Sequence, residues 1–354
     1  MPATAKPPIR VVIVDDSPTV QSMLSTIFDE AGMTVLATGR NGRDAVRLVK
    51  EHKPDVVTMD IRMPHMDGLE ATRQIMREQP TPIVVVTGSA QYQDVDLSFQ
   101  AMQAGALAVV HKPGLADPQA CAAVAQTVQN MARVHVIHHW GTARKTPPKP
   151  SLTPQLPRAV DPSRYAEIKV IGIASSTGGP SALAAVLGNL PADYPLPILV
   201  VQHVSPGFTS GLTQWLGSVT KLRVEVATHG SHPKPGVVAI APDDYHLQLG
   251  RRGEIQLSHS AAYKGLRPSA NPFFESLAQH YGKKSLGIIL TGMGDDGADG
   301  ISLLHKSGSL TIAQDEKSCV VYGMPYQAVI RNAIDIQMNL EEIGLFLKQL
   351  GEIK

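Results

Sequence analysis

Short apolar runs alternate with longer amphipathic segments along most of the chain. β-rich runs occur at residues 11–14, 34–38, 56–59, 83–87 and 108–110, and a second series occurs at residues 168–174, 198–202, 224–227, 237–240, 286–291 and 310–313. Strands separated by helix-length segments are typical of parallel sheets covered by helices. The pattern therefore predicts two doubly wound, mainly parallel α/β domains.

A proline-rich stretch separates the two series of predicted strands. Residues 141–157 contain five prolines, which disfavour packed helix or sheet and favour an extended, semi-stiff tether. We therefore predict a first domain over residues 9–134, an interdomain linker over residues 135–167 and a second domain over residues 168–354.

The net charge, the cysteines and the lengths of the apolar runs argue against several classes of function. The 354 residues are 43% hydrophobic and carry a formal charge of +1, so no strong basic balance points to nucleic acid or an anionic membrane surface. The cysteines, Cys121 and Cys319, have no metal-ligand spacing, which argues against a zinc site. The chain shows no apolar signal core at its start and no apolar run of about 18 residues. We expect a cytoplasmic protein without direct membrane insertion.

Acidic residues follow the strands of the first domain. Asp15 and Asp16 follow the first predicted strand, Asp60 follows the third, Thr87 ends the fourth, and Lys112 comes just after the fifth. The carboxyl ends of parallel strands meet at one edge of the sheet. Three converging carboxylates would repel one another unless a hard cation such as Mg²⁺ lay between them, and the lysine could steady a phosphoryl group.

These residues, with Met-Asp-Ile-Arg-Met-Pro-His-Met-Asp-Gly at 59–68, resemble the receiver domain of bacterial two-component response regulators. The resemblance implies a flavodoxin-like fold in which Asp60 accepts a phosphoryl group from a histidine kinase. It also implies that Asp15, Asp16 and Asp60 hold Mg²⁺, and that Thr87 and Lys112 contact the phosphate.

In the second domain a serine, a histidine and an aspartate follow three different predicted strands. They lie in Ser-Ser-Thr-Gly-Gly-Pro at 175–180, Gln-His-Val-Ser-Pro-Gly-Phe-Thr at 202–209 and Leu-Thr-Gly-Met-Gly-Asp-Asp-Gly at 290–297. Such residues can serve as nucleophile, general base and orienting acid. Their order along the chain differs from the Ser, Asp, His order of α/β-hydrolases. Taken alone, the hydroxyls at 175–177 could simply cap a helix.

The glycine motif at 292–297 also allows a different interpretation. It follows a predicted strand, precedes a helix and has Asp315 downstream, so it matches the dinucleotide-binding fingerprint. Against NAD binding, too little chain remains to build paired nucleotide-binding halves, and Asp295 and Asp296 would repel a pyrophosphate.

The three motifs, together with Cys-Val-Val-Tyr-Gly-Met-Pro at 319–325, resemble the CheB family of chemotaxis protein-glutamate methylesterases. The resemblance implies a Rossmann-like three-layer domain with Ser176 as nucleophile, His203 as base, Asp296 as its partner and the Met293 amide in the oxyanion hole. It implies a phosphorylation-activated serine esterase that hydrolyses glutamate methyl esters on the cytoplasmic helices of methylated chemoreceptors, releases methanol, and deamidates receptor glutamines. A chemotaxis-type histidine kinase would be the phosphodonor, and ester hydrolysis would need no cofactor.

Three positions depart from the patterns of these families. Val109 stands where receivers often carry an aromatic residue, Asp295 stands where the esterases often have asparagine, and Asn271 replaces an aspartate. We expect Asp295 to be able to raise the basicity of His203. Two alternatives stay open: a paralogue that serves a non-chemotactic sensory pathway, and a receiver-controlled binding protein without catalysis.

Overall fold

The computed structural model describes residues 7–88, 92–114, 116–134 and 162–354. The chain divides into two compact units. Most of the predicted linker, residues 135–161, lies outside the described residues. No helix within the described ranges is both long and apolar enough to cross a membrane.

The first unit is a five-stranded parallel sheet covered by helices. Its strands lie in the order β2-β1-β3-β4-β5. The elements in chain order are β1 (Arg10–Val14), α1 (Pro18–Glu30), β2 (Thr34–Gly39), α2 (Gly42–His52), β3 (Val56–Met59), α3 (Gly68–Glu78), β4 (Ile83–Thr87), α4 (Tyr92–Gln103), β5 (Ala108–His111) and α5 (Pro118–Met131).

The strands of this unit form where the sequence predicts them, and the apolar side chains of the three central strands, β1, β3 and β4, are buried. β3 and β4 are buried throughout, as expected for parallel strands between helices. Asn41 and Asp67 accept hydrogen bonds from the first turns of α2 and α3, which explains where these helices begin. Val109 packs against the hydrophobic core of the unit.

The second unit contains a seven-stranded parallel sheet in the order β14-β13-β12-β6-β7-β9-β8, and a separate antiparallel pair, β10 and β11. Its strands are β6 (Val170–Ser175), β7 (Ile198–Gln202), β8 (Arg223–Val226), β9 (Val237–Ile240), β10 (His246–Leu249), β11 (Ile255–Ser258), β12 (Ser285–Ile289), β13 (Leu310–Gln314) and β14 (Ile336–Met338). Its α-helices are α6 (Pro162–Glu167), α7 (Gly179–Leu187), α8 (Thr209–Val219), α9 (Ala270–His280), α10 (Ala298–Lys306), α11 (Met324–Ile330) and α12 (Leu340–Glu352).

In the second sheet, the direction in which successive strands are added reverses between β6 and β12. The chain runs outward from β6 through β7, and β12 then returns to the other side of β6. Ligand sites in open α/β sheets lie at such a reversal, at the carboxyl ends of the strands. The three predicted catalytic motifs follow β6, β7 and β12, the central strands of this sheet.

The structure adds elements that the hydrophobic pattern does not predict. β10 and β11 are four-residue strands with alternating polar positions, and β14 has only three residues, so their apolar signal is weak. Residues 162–167, predicted as the end of the linker, form helix α6 instead. Tyr165 of this helix is 1% exposed and packs edge-on against Phe346, with ring centroids 5.6 Å apart. Burial of this aromatic ring joins α6 to the second unit.

Candidate functional site

The first candidate site is an acidic cluster at the carboxyl edge of the five-stranded sheet. One carboxylate oxygen from each of Asp15, Asp16 and Asp60 lies within 4.8 Å of the others. Asp15 and Asp60 are buried, whereas Asp16 is exposed. Oxygen ligands at this spacing fit a hard divalent cation such as Mg²⁺.

Lys112 neutralises part of this cluster. Its Nζ lies 2.7 Å from Asp15 Oδ2 and 2.9 Å from Asp60 Oδ2. Burial raises the pKa of Asp60 above its ordinary value, an effect that Lys112 opposes and the charge of Asp15 reinforces. Thr87 ends the neighbouring strand, and its carbonyl oxygen accepts a hydrogen bond from Lys112 N at 2.8 Å. The five predicted receiver residues therefore lie at one edge of the sheet.

The second candidate site begins at the end of β6, where the chain turns sharply into α7. Ser176 N donates to Thr291 O at 3.0 Å, and Gly179 N donates to Ser176 O at 2.8 Å. Gly178 has a φ of +77°, a conformation that favours glycine. The turn places Ser176 between the end of β6 and the amino end of α7.

Gln202 connects the serine turn to the histidine loop. Its Nε2 donates to Ser176 O and to His203 O, both at 2.8 Å, and its Oε1 accepts from Ser175 Oγ at 2.5 Å. Ser175 is fully buried and Gln202 is 2% exposed. A Cβ at Gly179 would collide with this amide, so only glycine leaves room for it. The sequence does not mark Gln202 as a site residue, although its position beside the histidine at the end of β7 is a signal for such a role.

Ser175→Ala is expected to affect stability more than catalysis. The change removes the donor to Gln202 Oε1 and leaves a buried acceptor unpaired, which costs about 1–3 kcal/mol of unfolding free energy. We expect esterase activity within about tenfold of the wild type, since Gln202 Nε2 keeps both of its acceptors. Denaturant unfolding and methanol release, measured on the same sample, check this expectation. A loss of activity as large as that expected for Ser176→Ala, with unchanged stability, would contradict it.

The histidine and the aspartate form a buried pair. His203 Nε2 lies 2.9 Å from Asp296 Oδ2, and the histidine side chain retains 13% exposure. His203 N also donates to Ser175 O at 3.0 Å, so the histidine begins directly beside the serine turn. A carboxylate this close to an imidazole can orient the ring and stabilise its protonated form.

Asp296 lies at the amino end of helix α9. Its Oδ1 accepts from Ser269 Oγ at 2.6 Å and from Asn271 Nδ2 at 2.9 Å, and its Oδ2 accepts from Ala270 N at 2.7 Å. Burial raises the pKa of Asp296, but hydrogen bonding and charge from His203, with the bonds from Ser269 and Ala270, outweigh burial and lower it. The carboxylate is therefore held in its ionised form. The roles of Ser269 and Ala270 were not predicted, because they depend on a helix from a distant part of the chain.

The glycine motif after β12 runs directly past Ser176. A Cβ at Gly292 would lie 2.8 Å from Ser176 Cβ and 3.1 Å from Ser176 N, so only glycine permits this approach. Gly292 O accepts from Met324 N at 2.8 Å, which fixes the loop from the other side. Met293, the predicted oxyanion-hole residue, is the next residue along this loop.

Asp295 and Asp315, two acids that the sequence brings to attention, each have a partner in the structure. Asp295 lies 39% exposed with its Oδ2 2.6 Å from Lys264 Nζ, so its charge is compensated there and gives no support to a special effect on His203. Asp315, the downstream acid of the dinucleotide pattern, accepts from Ser318 N within its own turn.

Comparisons with known proteins find matches for both units. The family model for the CheB methylesterase matches residues 171–347, and that for the response regulator receiver domain matches residues 11–124. A relative from Nitrosospira multiformis named protein-glutamate methylesterase/protein-glutamine glutaminase is 41% identical over 98% of this chain and 99% of its own. A relative from Myxococcus xanthus with the same name, numbered 4, is 46% identical over 90% of each chain.

A solved structure agrees with the second unit. The CheB methylesterase catalytic domain of Thermotoga maritima is 38% identical, covers 53% of this chain and 99% of its own, and has a TM-score of 0.50. The predicted family, fold class and enzyme class are confirmed by these matches. The chain belongs to the CheB methylesterase family, with a response regulator receiver domain ahead of the methylesterase domain.

Proposed function

We propose that the chain is a phosphorylation-activated serine esterase that hydrolyses glutamate methyl esters on the cytoplasmic helices of chemoreceptors, in the adaptation step of chemotaxis. The observation that carries the proposal is the His203–Asp296 pair at 2.9 Å, set beside Ser176 at the reversal of the second sheet. The relatives named protein-glutamate methylesterase/protein-glutamine glutaminase supply the substrate class. A cytoplasmic location follows from such a substrate.

The first half of the reaction forms an acyl-enzyme. The imidazole of His203 takes the hydroxyl proton of Ser176, and the Ser176 oxygen attacks the ester carbonyl carbon. Backbone N–H groups of the serine turn and of Met293 stabilise the oxyanion. When the tetrahedral intermediate collapses, the carbon–methoxy bond breaks and His203 returns the proton to the leaving methanol.

The second half regenerates the enzyme. Water loses a proton to the imidazole of His203 and attacks the acyl carbon, and the bond to the Ser176 oxygen then breaks, leaving a glutamate carboxylate. Asp296 keeps the imidazole oriented and stabilises its protonated form throughout. A glutamine side chain would pass through the same acyl-enzyme with ammonia as the leaving group, which supports the glutaminase activity.

The receiver domain supplies the regulation. Asp60 accepts a phosphoryl group from a histidine kinase, and Lys112 and Thr87 contact the phosphate oxygens; the position of Lys112 Nζ, 2.9 Å from Asp60 Oδ2, supports this role for the lysine. The carboxylates of Asp15, Asp16 and Asp60 would hold Mg²⁺, which offsets the negative charge of the incoming phosphoryl group. Phosphorylation shifts the population of the chain toward an active state.

Methanol release from a methylated chemoreceptor, measured with and without a small-molecule phosphodonor, tests this proposal. We expect release in both conditions and a faster rate with the phosphodonor. Absence of release in both conditions, with the receptor still bound, would favour the binding-protein alternative. Activity on receptors of another pathway, but not on chemoreceptors, would favour the paralogue.

A further inference from the structure

Asn271 lies behind the catalytic aspartate and is 4% exposed. Its Nδ2 donates to Asp296 Oδ1 at 2.9 Å, and its Oδ1 accepts from Gly300 N at 2.8 Å. The Gly300 amide can only donate, so it fixes the orientation of the Asn271 side chain and directs the NH₂ group at the carboxylate. Both polar ends of Asn271 are therefore used within the site.

The contact links two helices to the catalytic carboxylate. Asn271 belongs to the first turn of α9, and Gly300 belongs to the first turn of α10. A Cβ at Gly300 would lie 2.5 Å from Asn271 O, so the two turns are in close contact. Any movement of Asn271 would therefore be transmitted to the Oδ1 side of Asp296.

We propose that Asn271 is a positioning residue of the esterase site: its amide holds Asp296 so that Oδ2 faces His203 Nε2, and it does so without adding charge. Ser269 Oγ shares Oδ1 with Asn271, whereas Ala270 N shares Oδ2 with the histidine. Loss of the Asn271 Nδ2 donor leaves Oδ1 with Ser269 Oγ at 2.6 Å and the longer contact from Asn271 N at 3.4 Å, so the carboxylate is held less firmly in the orientation that faces His203. This inference rests on the proposed roles of His203 and Asp296.

An amide and a carboxylate have the same shape but opposite effects at this position. An aspartate at position 271 could accept from Gly300 N but, when ionised, could not donate to Asp296 Oδ1. Two carboxylates in contact bind one proton between them or repel each other when both are ionised. The additional negative charge also stabilises protonated His203, so the base loses its proton at a higher pH.

The other charged groups around this pair have partners of their own in the described structure. Asp295 pairs with Lys264, Asp299 pairs with Arg331 at 3.1 Å, and Asp243 accepts from Gly207 N at 2.9 Å. His246 lies against the amino end of α9, with its Nδ1 3.2 Å from Ser269 N. None of these groups is altered by a substitution at Asn271.

The test uses the full-length protein carrying Asn271→Leu or Asn271→Asp, with methanol release from a methylated receptor measured across a pH range. Asn271→Leu is expected to lower kcat by about 10- to 100-fold with little change in KM, since it disturbs the base rather than substrate binding. In Asn271→Asp, the acid limb of kcat/KM, which reports the ionisation of the free enzyme's base, should move to higher pH by on the order of one unit.

The outcomes separate this inference from the proposed function. Wild-type kcat in Asn271→Leu, together with an unshifted acid limb in Asn271→Asp, would overturn the positioning role. If circular dichroism shows that Asn271→Leu does not fold, the test rests on the acid limb of the kcat/KM profile of Asn271→Asp. A purely structural defect would lower activity at every pH without moving that limb. Failure of the serine mechanism itself would appear instead as activity that survives Ser176→Ala.

Discussion

Replacing Ser176 by alanine is expected to lower methanol release from a methylated receptor by roughly a thousandfold or more, as removal of a triad member does in other serine hydrolases. The change deletes the only atom that forms the acyl-enzyme in the proposed mechanism. Ser176 N and Ser176 O keep their bonds to Thr291 and Gly179, so the turn itself should persist. Initial rates of methanol release, with and without a phosphodonor, measure the effect.

Ser218→Ala is a matched control for this variant. Ser218 lies near the end of helix α8, where its Oγ donates to Trp215 O at 2.7 Å. This substitution removes a hydroxyl from the same domain without touching the site, and we expect near-wild-type activity. Equal rates for Ser176→Ala and Ser218→Ala would end the assignment of the nucleophile.

Asp60→Asn is expected to abolish both phosphorylation of the receiver and stimulation of the esterase by a phosphodonor. The amide has no nucleophilic carboxylate oxygen, so no acyl phosphate can form at this position. The basal esterase rate should remain, because Ser176, His203 and Asp296 are unchanged. Phosphate incorporation and the stimulated rate of methanol release check the two parts of this prediction.

Stability provides an internal control for Asp60→Asn. Burial raises the pKa of Asp60, which means that its ionised form is disfavoured in the folded state. The protonated carboxyl of Asp60 therefore contributes to the stability of the folded state at low pH, and this contribution is lost as pH rises through the folded-state pKa. At neutral pH the asparagine of Asp60→Asn carries no charge that burial would penalise. We therefore expect its melting temperature to equal or exceed that of the wild type. Asp55→Asn is the matched control, because Asp55 pairs with Arg10 at 3.1 Å on the exposed surface. Stimulation that persisted in Asp60→Asn would place the phosphoacceptor elsewhere.

The sequence predicts the sheets because their strands are strongly apolar. The runs before Asp60 and before Ser176 are buried in the structure from end to end, so their hydrophobic signal is local and clear. The carboxyl ends of parallel strands meet at one edge, which is why the acids and the lysine of the receiver, and the serine, histidine and aspartate of the esterase, could be grouped from sequence. The elements with a weak hydrophobic signal were not predicted: α6 is short, and β10, β11 and β14 carry few apolar residues.

The residues that hold Ser176, His203 and Asp296 in place could not be predicted, because these interactions depend on contacts between distant segments. Gln202 Nε2 joins Ser176 O to His203 O, a link that requires the exact pairing of β6 with β7. Asn271 stands out in the sequence as a departure from the family, but its contact with Asp296 spans 25 residues of chain. The ion pair in which Lys264 neutralises the charge of Asp295 similarly depends on a loop 31 residues away.

The most direct test of the serine mechanism is to trap the acyl-enzyme. A peptide containing a glutamate methyl ester would be mixed with the wild-type protein, quenched in acid within one turnover, digested and mapped by mass spectrometry. The mechanism predicts an added acyl mass on the peptide that contains Ser176, retained in Ser175→Ala and absent from Ser176→Ala. Methanol release without any adduct at Ser176, or an adduct on a different residue, would contradict it.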